Sequence, residues 1–238
     1  MGTKSNQLGD TFLNKIRIIE VKENVLANND RDAQALRDRL HDQGTLLINL
    51  MSSPGAGKTT LLSATLDRLI PELTIGIMEA DVDSDVDAHT VASHGARAIQ
   101  LHTGGMCHLD AAMCEQGLRE LGTQGLDLVF LENVGNLICP AEFDTGAALK
   151  VMILSVPEGD DKPLKYPLMF EVSDLVIVSK VDVAPYFDFD FAELERNVRL
   201  RNPNATILSL SAKTGEGMDA WVDWLRAAVH NWKSSKRV

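Results

Sequence analysis

Residues 52–60 read Ser52-Ser53-Pro54-Gly55-Ala56-Gly57-Lys58-Thr59-Thr60, directly after the apolar run Thr45-Leu46-Leu47-Ile48-Asn49-Leu50-Met51. A strand feeding a glycine-rich turn that ends in Gly-Lys-Thr is the phosphate-binding loop of an NTPase, and it admits few folds. Gly55 and Gly57 let the backbone curl so that successive N–H groups face phosphate oxygens. Lys58 brings a positive charge to the β and γ phosphates, and the Thr59 hydroxyl is the expected Mg²⁺ ligand. Ala56 and Thr60 complete the expected lining. A helix from Lys58 through Leu61, Leu62, Leu66 and Leu69 to Pro71 aims its positive end at the same anion. Ser52 stands where the motif usually has its first glycine, a position that shapes the turn.

At 238 residues the chain suits one α/β domain, residues 28–238, behind an N-terminal extension over 1–27 that is flexible or docks a partner. Its 23 basic and 34 acidic side chains give a formal charge of −11 with no basic block, which argues against nucleic acid and anionic membrane as partners. No apolar stretch approaches the roughly 20 residues that span a bilayer. The polar segment from Met1 to Asp10 lacks the apolar centre of a signal peptide. A cytoplasmic location follows as the expectation, with Cys107, Cys114 and Cys139 as reduced thiols.

Along the chain, a helix is predicted after the cap-type residues Asn28-Asn29-Asp30, running to Gly44. Strands are predicted at 45–51, 74–79, 97–101, 126–132, 149–156, 174–179 and 205–210. Helices are predicted near 58–70, 85–94, 108–121, 190–201 and 217–232. Short apolar strands alternating with amphipathic helices predict a mostly parallel sheet with helices on both faces, the P-loop NTPase form of the α/β class.

Ser179-Lys180-Val181-Asp182 follows the strand Leu175-Val176-Ile177-Val178, at the carboxyl edge where ligands bind in such folds. It is similar to the Asn-Lys-x-Asp signature of GTPases, in which the Asp accepts hydrogen bonds from the guanine N1–H and N2–H₂. Adenine offers no matching donors. Ser211-Ala212-Lys213, after the next strand, resembles the Ser-Ala-Lys element that reads guanine O6. Two such signatures in order select GTP and GDP over adenine nucleotides.

The catalytic acids lie between. Glu79-Ala80-Asp81 ends the second strand, and Asp83, Asp85 and Asp87 follow at alternate positions. Acidic groups so close repel one another without a cation. Asp81 is the expected member of the Mg²⁺ shell, and Asp83 and Asp85 are candidates for orienting the attacking water. In Leu128-Val129-Phe130-Leu131-Glu132-Asn133-Val134-Gly135, Glu132 is expected at Mg²⁺ and Gly135 as a backbone sensor of the γ-phosphate. The absence of an obvious water-positioning glutamine predicts slow intrinsic hydrolysis.

Cys107-His108 joins a strand to a helix, and Cys139 lies on the loop that leaves the next strand. A thiolate and an imidazole side by side, with a second thiolate on a neighbouring loop, suit a soft divalent ion. Buried small hydrophobes are the competing reading for cysteines, and Cys114, in mid-helix, is assigned to it.

From about Asn28 to His230 the chain resembles the hydrogenase nickel-incorporation GTPases, the HypB family. The resemblance rests on Ser52–Thr60, Glu79–Ala88, Cys107-His108-Leu109-Asp110, Glu132–Pro140, Ser155–Pro167 and Ser211-Ala212-Lys213. The urease accessory GTPase UreG shares the architecture, but its Cys-Pro-His metal loop is absent here. The resemblance implies that Cys107, His108 and Cys139 form a nickel or zinc site at a GTP- and metal-promoted homodimer interface. It also implies a HypA-like zinc protein and the large subunit of [NiFe]-hydrogenase as partners. Some family members carry an N-terminal Cys-x-x-Cys-Gly-Cys motif or a histidine-rich run. Residues 1–40 contain no cysteine, and the six histidines are scattered, so only the Cys107 site is expected. Lys165 is a further candidate, for a contact to phosphate across the dimer. Other readings stay open: a nickel GTPase for another client such as urease, a GTPase scaffold with structural zinc, and a metabolic kinase.

Overall fold

The computed structural model describes the backbone of residues 21–81 and 94–235, and the side chains of 26–80 and 94–235. Seven strands form one sheet: β1 (Leu46–Ser52), β2 (Ile75–Asp81), β3 (Arg97–His102), β4 (Leu128–Glu132), β5 (Leu149–Ser155), β6 (Leu175–Ser179) and β7 (Thr206–Ser209). Their order is β3-β2-β4-β1-β5-β6-β7, and every neighbouring pair is parallel. Parallel pairing demands crossovers. The described ones use the helices α2 (Lys58–Leu69), α3 (Ala111–Leu121), α4 (Cys139–Glu142), α5 (Lys162–Lys165), α6 (Pro167–Glu171) and α7 (Phe191–Arg201), while α1 (Val21–Gln43) precedes β1 and α8 (Met218–Ser234) follows β7.

Every residue of β1 is buried, because both faces of the sheet are covered. The alternation of the strand then sorts its side chains. Leu46, Ile48 and Leu50 face α2 and α8, where they meet Leu62, Leu66, Trp221 and Leu225. Leu47 points the other way, into the cluster of Leu36 and Leu40 from α1 with Leu118 from α3. Met51, two pleats on, packs with Met169, Phe170 and Val198 from α6 and α7. Trp221 also donates its indole N–H to Thr65 Oγ1 at 2.9 Å, which fixes α8 on α2. Removing a side chain such as Leu66, wholly buried, by Leu66→Ala costs about 2–5 kcal/mol.

The strands agree with the sequence pattern to within a residue or two at their ends, and the sheet is parallel throughout. The first helix differs. It runs from Val21, so Asn28-Asn29-Asp30 lie inside it and the boundary expected at residue 27 falls within a helix. The physical reason is tertiary: buried Asn29 spends its side chain on two distant backbone groups, not on capping its own helix. The helix expected at 85–94 falls almost wholly outside the described residues, as do Asp83, Asp85 and Asp87. The register brings Ser52, Glu132, Ser155, Ser179 and the last residue of β2 to one edge of the sheet, from which the phosphate loop and the loops carrying Cys139 and Asp182 emerge.

Candidate functional site

The phosphate-binding loop leaves β1 between its neighbours β4 and β5. Gly55 and Gly57 have φ of 75° and 100°, backbone that L side chains adopt only under strain. Gly57 thereby delivers the chain into α2, whose first residues are Lys58, Thr59 and Thr60. Lys58 is buried, and its Nζ donates to Ser52 Oγ at 2.9 Å. The hydroxyl that replaces the usual glycine therefore holds the lysine beside the loop, a role the sequence pattern did not reveal. Thr59 Oγ1 donates to Glu132 Oε1 at 3.1 Å.

Glu132 is buried, and its register partner on β2 is Glu79, also buried. A hydroxyl and buried carboxylate oxygens are hard donors of the kind that Mg²⁺ takes, so the residues present fit that ion. Asp81 ends β2 opposite His102 of β3, at the same edge.

Ser179 and Lys180 tie the loop after β6 to the phosphate loop. Ser179 Oγ donates to the Ala56 carbonyl at 2.8 Å, and Lys180 Nζ donates to the Gly55 carbonyl at 2.7 Å. Lys180 has φ of 59°, an unusual conformation for a side-chain-bearing residue that is common at functional sites. A cavity of about 240 Å³ opens beside them, lined by Gly57, Thr60, Ser179, Lys180, Asp182 and the Ser211-Ala212-Lys213 run among others. Ser211 Oγ accepts from Thr214 N at 3.2 Å, which closes a local turn over 211–214.

Gly135 lies on the loop after β4. A Cβ there would sit 3.0 Å from both the ring and the backbone nitrogen of Pro54, so this loop touches the phosphate loop directly. The loop is held at its root by a buried pair that sequence reasoning missed. Asn133 Nδ2 donates to Asn49 Oδ1 at 3.1 Å, and Asn133 Oδ1 accepts from Val134 N at 2.9 Å. The available signal was an asparagine in the middle of the apolar β1 run.

Cys107, His108 and Cys139 come together as expected. One ligand atom from each lies within 4.8 Å of the others. The two sulfurs are 2.8 Å apart, and Cys107 Sγ is 3.7 Å from His108 Nδ1. Hydrogen bonding to the Cys139 sulfur chiefly raises the Cys107 thiol above its ordinary pKa, with burial adding to it. A bound cation reverses that preference by stabilising thiolates. Burial lowers the His108 imidazole against the opposing pull of Asp110 and Glu142, and a neutral imidazole is the form that binds metal. The ring stacks on Phe143 with centroids 3.8 Å apart. Cys114 is wholly buried in α3 and its thiol is pushed far up by burial, the inert cysteine expected.

Lys165 pairs with Asp161 at 2.5 Å, and Lys162 lies 3.9 Å from Glu158 and over the Tyr166 ring. Within the single chain, neither approaches the phosphate loop through a described contact. No helix among the described residues is long and apolar enough to cross a membrane.

A parallel sheet with its phosphate loop, the Asp182 and Ser211-Ala212-Lys213 loops and acidic strand ends on one edge defines a nucleotide-binding protein of the P-loop GTPase class. The family model described as CobW/HypB/UreG, nucleotide-binding domain, matches residues 46–209. Hydrogenase maturation factor HypB of Escherichia coli K12 is 46% identical over 209 residues, which cover 88% of this chain and 72% of that one. Hydrogenase/urease maturation factor HypB of Helicobacter hepaticus is 42% identical over 227 residues, 93% of each chain. The crystal structure of HypB from Helicobacter pylori in complex with nickel superposes with a TM-score of 0.81 at 36% identity, covering 89% of this chain and all of that one. The chain belongs to the HypB family.

Proposed function

We propose that this protein hydrolyses GTP with Mg²⁺ and carries nickel at Cys107, His108 and Cys139 for delivery during maturation of [NiFe]-hydrogenase in the cytoplasm. One observation carries the reading. A soft-metal donor set lies on loops leaving the same sheet edge as a phosphate-binding loop, and one of those loops leans on the other through Gly135 and Pro54.

The roles follow from the chemistry of the groups. The backbone N–H groups from Gly55 to Thr60 and the start of α2 cradle the phosphates. Lys58 leaves Ser52 for the β and γ phosphates, an exchange of a neutral acceptor for an anionic one. Asp182 accepts the guanine N1–H and N2–H₂, and the Ser211-Ala212-Lys213 backbone faces O6. Thr59, Asp81 and Glu132 would hold Mg²⁺, which neutralises charge developing on the transferred phosphate when bound. Gly135 N–H is placed to sense the γ-phosphate.

Three ligands leave a four-coordinate ion incomplete. A second chain supplies the remainder, which makes the metal site and the homodimer interdependent. Hydrolysis relaxes the Gly135 loop, moves Cys139 and releases the nickel to the hydrogenase large subunit, with a HypA-like zinc protein as the other partner. A structural zinc in a non-delivering scaffold is the second reading. Structural zinc sites are usually closed by four ligands of one chain, and the three here favour exchangeable metal. The test is nickel binding by equilibrium dialysis to the wild type and to Cys107→Ala. Loss of a site in the variant is expected. Wild-type stoichiometry and affinity in Cys107→Ala would place the metal elsewhere.

A further inference from the structure

The metal ligands sit on two loops far apart in sequence, and something has to hold those loops in register. One direct link is Asn136 Nδ2, which donates to the Cys107 carbonyl at 3.3 Å. The stack of His108 on Phe143 is another. Neither link reaches α1. Both far ends converge on one buried side chain of α1. Asn29 Oδ1 accepts from the backbone N–H of Ala111 at 2.9 Å, and its Nδ2 donates to the backbone carbonyl of Asp144 at 2.9 Å. Ala111 is the first residue of α3, three positions beyond His108. Asp144 follows Phe143, the residue on which His108 stacks.

Building on the assignment of Cys107, His108 and Cys139 as metal ligands, we propose that Asn29 is a positioning residue for the metal. Its amide bridges the two ligand loops and sets the spacing of Cys107 and His108 against Cys139. A side-chain amide suits this task, because one flat group offers an acceptor and a donor in opposite directions. The N–H it accepts is one of the four unpaired donors that begin any helix. The Asp144 end is also clamped from α1. Arg37, two turns after Asn29, gives its guanidinium to both Asp144 carboxylate oxygens at 2.9 and 2.7 Å and to the Ala147 carbonyl at 3.1 Å. Gly146 lets the loop approach so closely that a Cβ there would lie 2.8 Å from Leu36 of the same helix. The helix is thus a strut behind both loops, and its ion pair with α3, Arg39 to Glu115 at 3.7 Å, lies about a turn farther along α3 than the Asn29 bond to Ala111. Groups behind the ligands of this kind commonly change metal affinity by roughly 10–100-fold when removed.

The experiment uses the full chain, titrated with Ni²⁺ alone while the thiolate-to-nickel charge-transfer band is recorded, with GDP affinity measured in parallel. Asn29→Ala is expected to weaken nickel by about tenfold or more and to shift the band, with GDP affinity unchanged. Asn29→Asp keeps the acceptor for Ala111 and loses the donor to Asp144, and is expected to show a smaller effect in the same direction. It serves also if the alanine variant fails to fold. Wild-type nickel affinity and spectrum in the folded variants would overturn the proposal, as would a matching loss of GDP affinity, which signifies general loosening. Cys107→Ala, run beside them, separates the two readings. If it keeps full nickel binding, the site assignment itself fails; if it loses nickel while both Asn29 variants stay normal, only the role of Asn29 fails.

Discussion

Gly135 rests against Pro54 so closely that an added Cβ would lie 3.0 Å from the proline ring. The loop that runs on to Cys139 therefore shares a contact surface with the loop that binds phosphate. Any nucleotide-driven movement of Gly135 has four residues in which to reach Cys139. Gly135→Ala is expected to fold but to push the two loops apart. A displacement on the order of 1 Å in a catalytic loop costs about 10²-fold. GTP turnover should fall steeply with GDP affinity little changed, and unaltered turnover would remove the loop from the catalytic cycle.

Lys58→Ala should abolish most GTP hydrolysis, because loss of one such charge typically costs about 10²-fold or more in rate. Lys58 is buried with its ammonium on Ser52. Removing a buried charge together with its desolvation cost leaves stability near that of the wild type. A thermal melt and a turnover assay on the same sample check both halves. Wild-type turnover would refute the assignment.

Asp182→Asn places an amide donor where guanine presents its own donors. GTP should weaken by about tenfold or more, since a hydrogen bond to a charged group contributes about 1.5–3 kcal/mol. Xanthosine triphosphate, which has an acceptor in place of the 2-amino group, should gain. A competition assay with the two nucleotides reads the exchange directly. Equal GTP affinity in the variant would mean that the base is recognised elsewhere in the cavity.

Stability should depend on pH through Asp127, away from the site. Burial pushes its carboxyl up, but hydrogen bonds from Lys233 and from the Thr74 N–H outweigh that and hold it below the ordinary range. A carboxyl whose folded pKa is depressed contributes stability above its unfolded value of about 4, and loses it as pH falls through the folded value. Lys233→Ala should therefore lower the melting temperature at pH 7, and the gap to wild type should close as pH falls through the folded value of Asp127. A gap that persists unchanged into acid would assign the effect to packing.

The phosphate loop and the placing of Asp182 and Ser211-Ala212-Lys213 around one cavity were legible because each is a short motif within a few residues of a strand end. The Cys107, His108 and Cys139 grouping was legible as a pattern of donors, and the parallel sheet explains why two separated loops meet. What was hidden depended on distant partners. Asn28-Asn29-Asp30 carries every local mark of a helix start, yet Asn29 is claimed by Ala111 and Asp144, and the helix passes through. The Asn49–Asn133 pair joins residues 84 positions apart, beyond the reach of any local signal. The turns α5 and α6 are four and five residues long, too short to show a helical period.

The central claim is that nucleotide state controls the hold on nickel, and a nickel titration in the presence of GDP and of a non-hydrolysable GTP analogue tests it most directly. Coupling through a shared loop is typically about 1–3 kcal/mol, so nickel affinity should differ by roughly 5–150-fold between the two states. The difference should vanish in Cys139→Ala. Equal nickel affinity in both nucleotide states of the wild-type protein would contradict delivery and leave a GTPase whose metal is a fixed part of its structure.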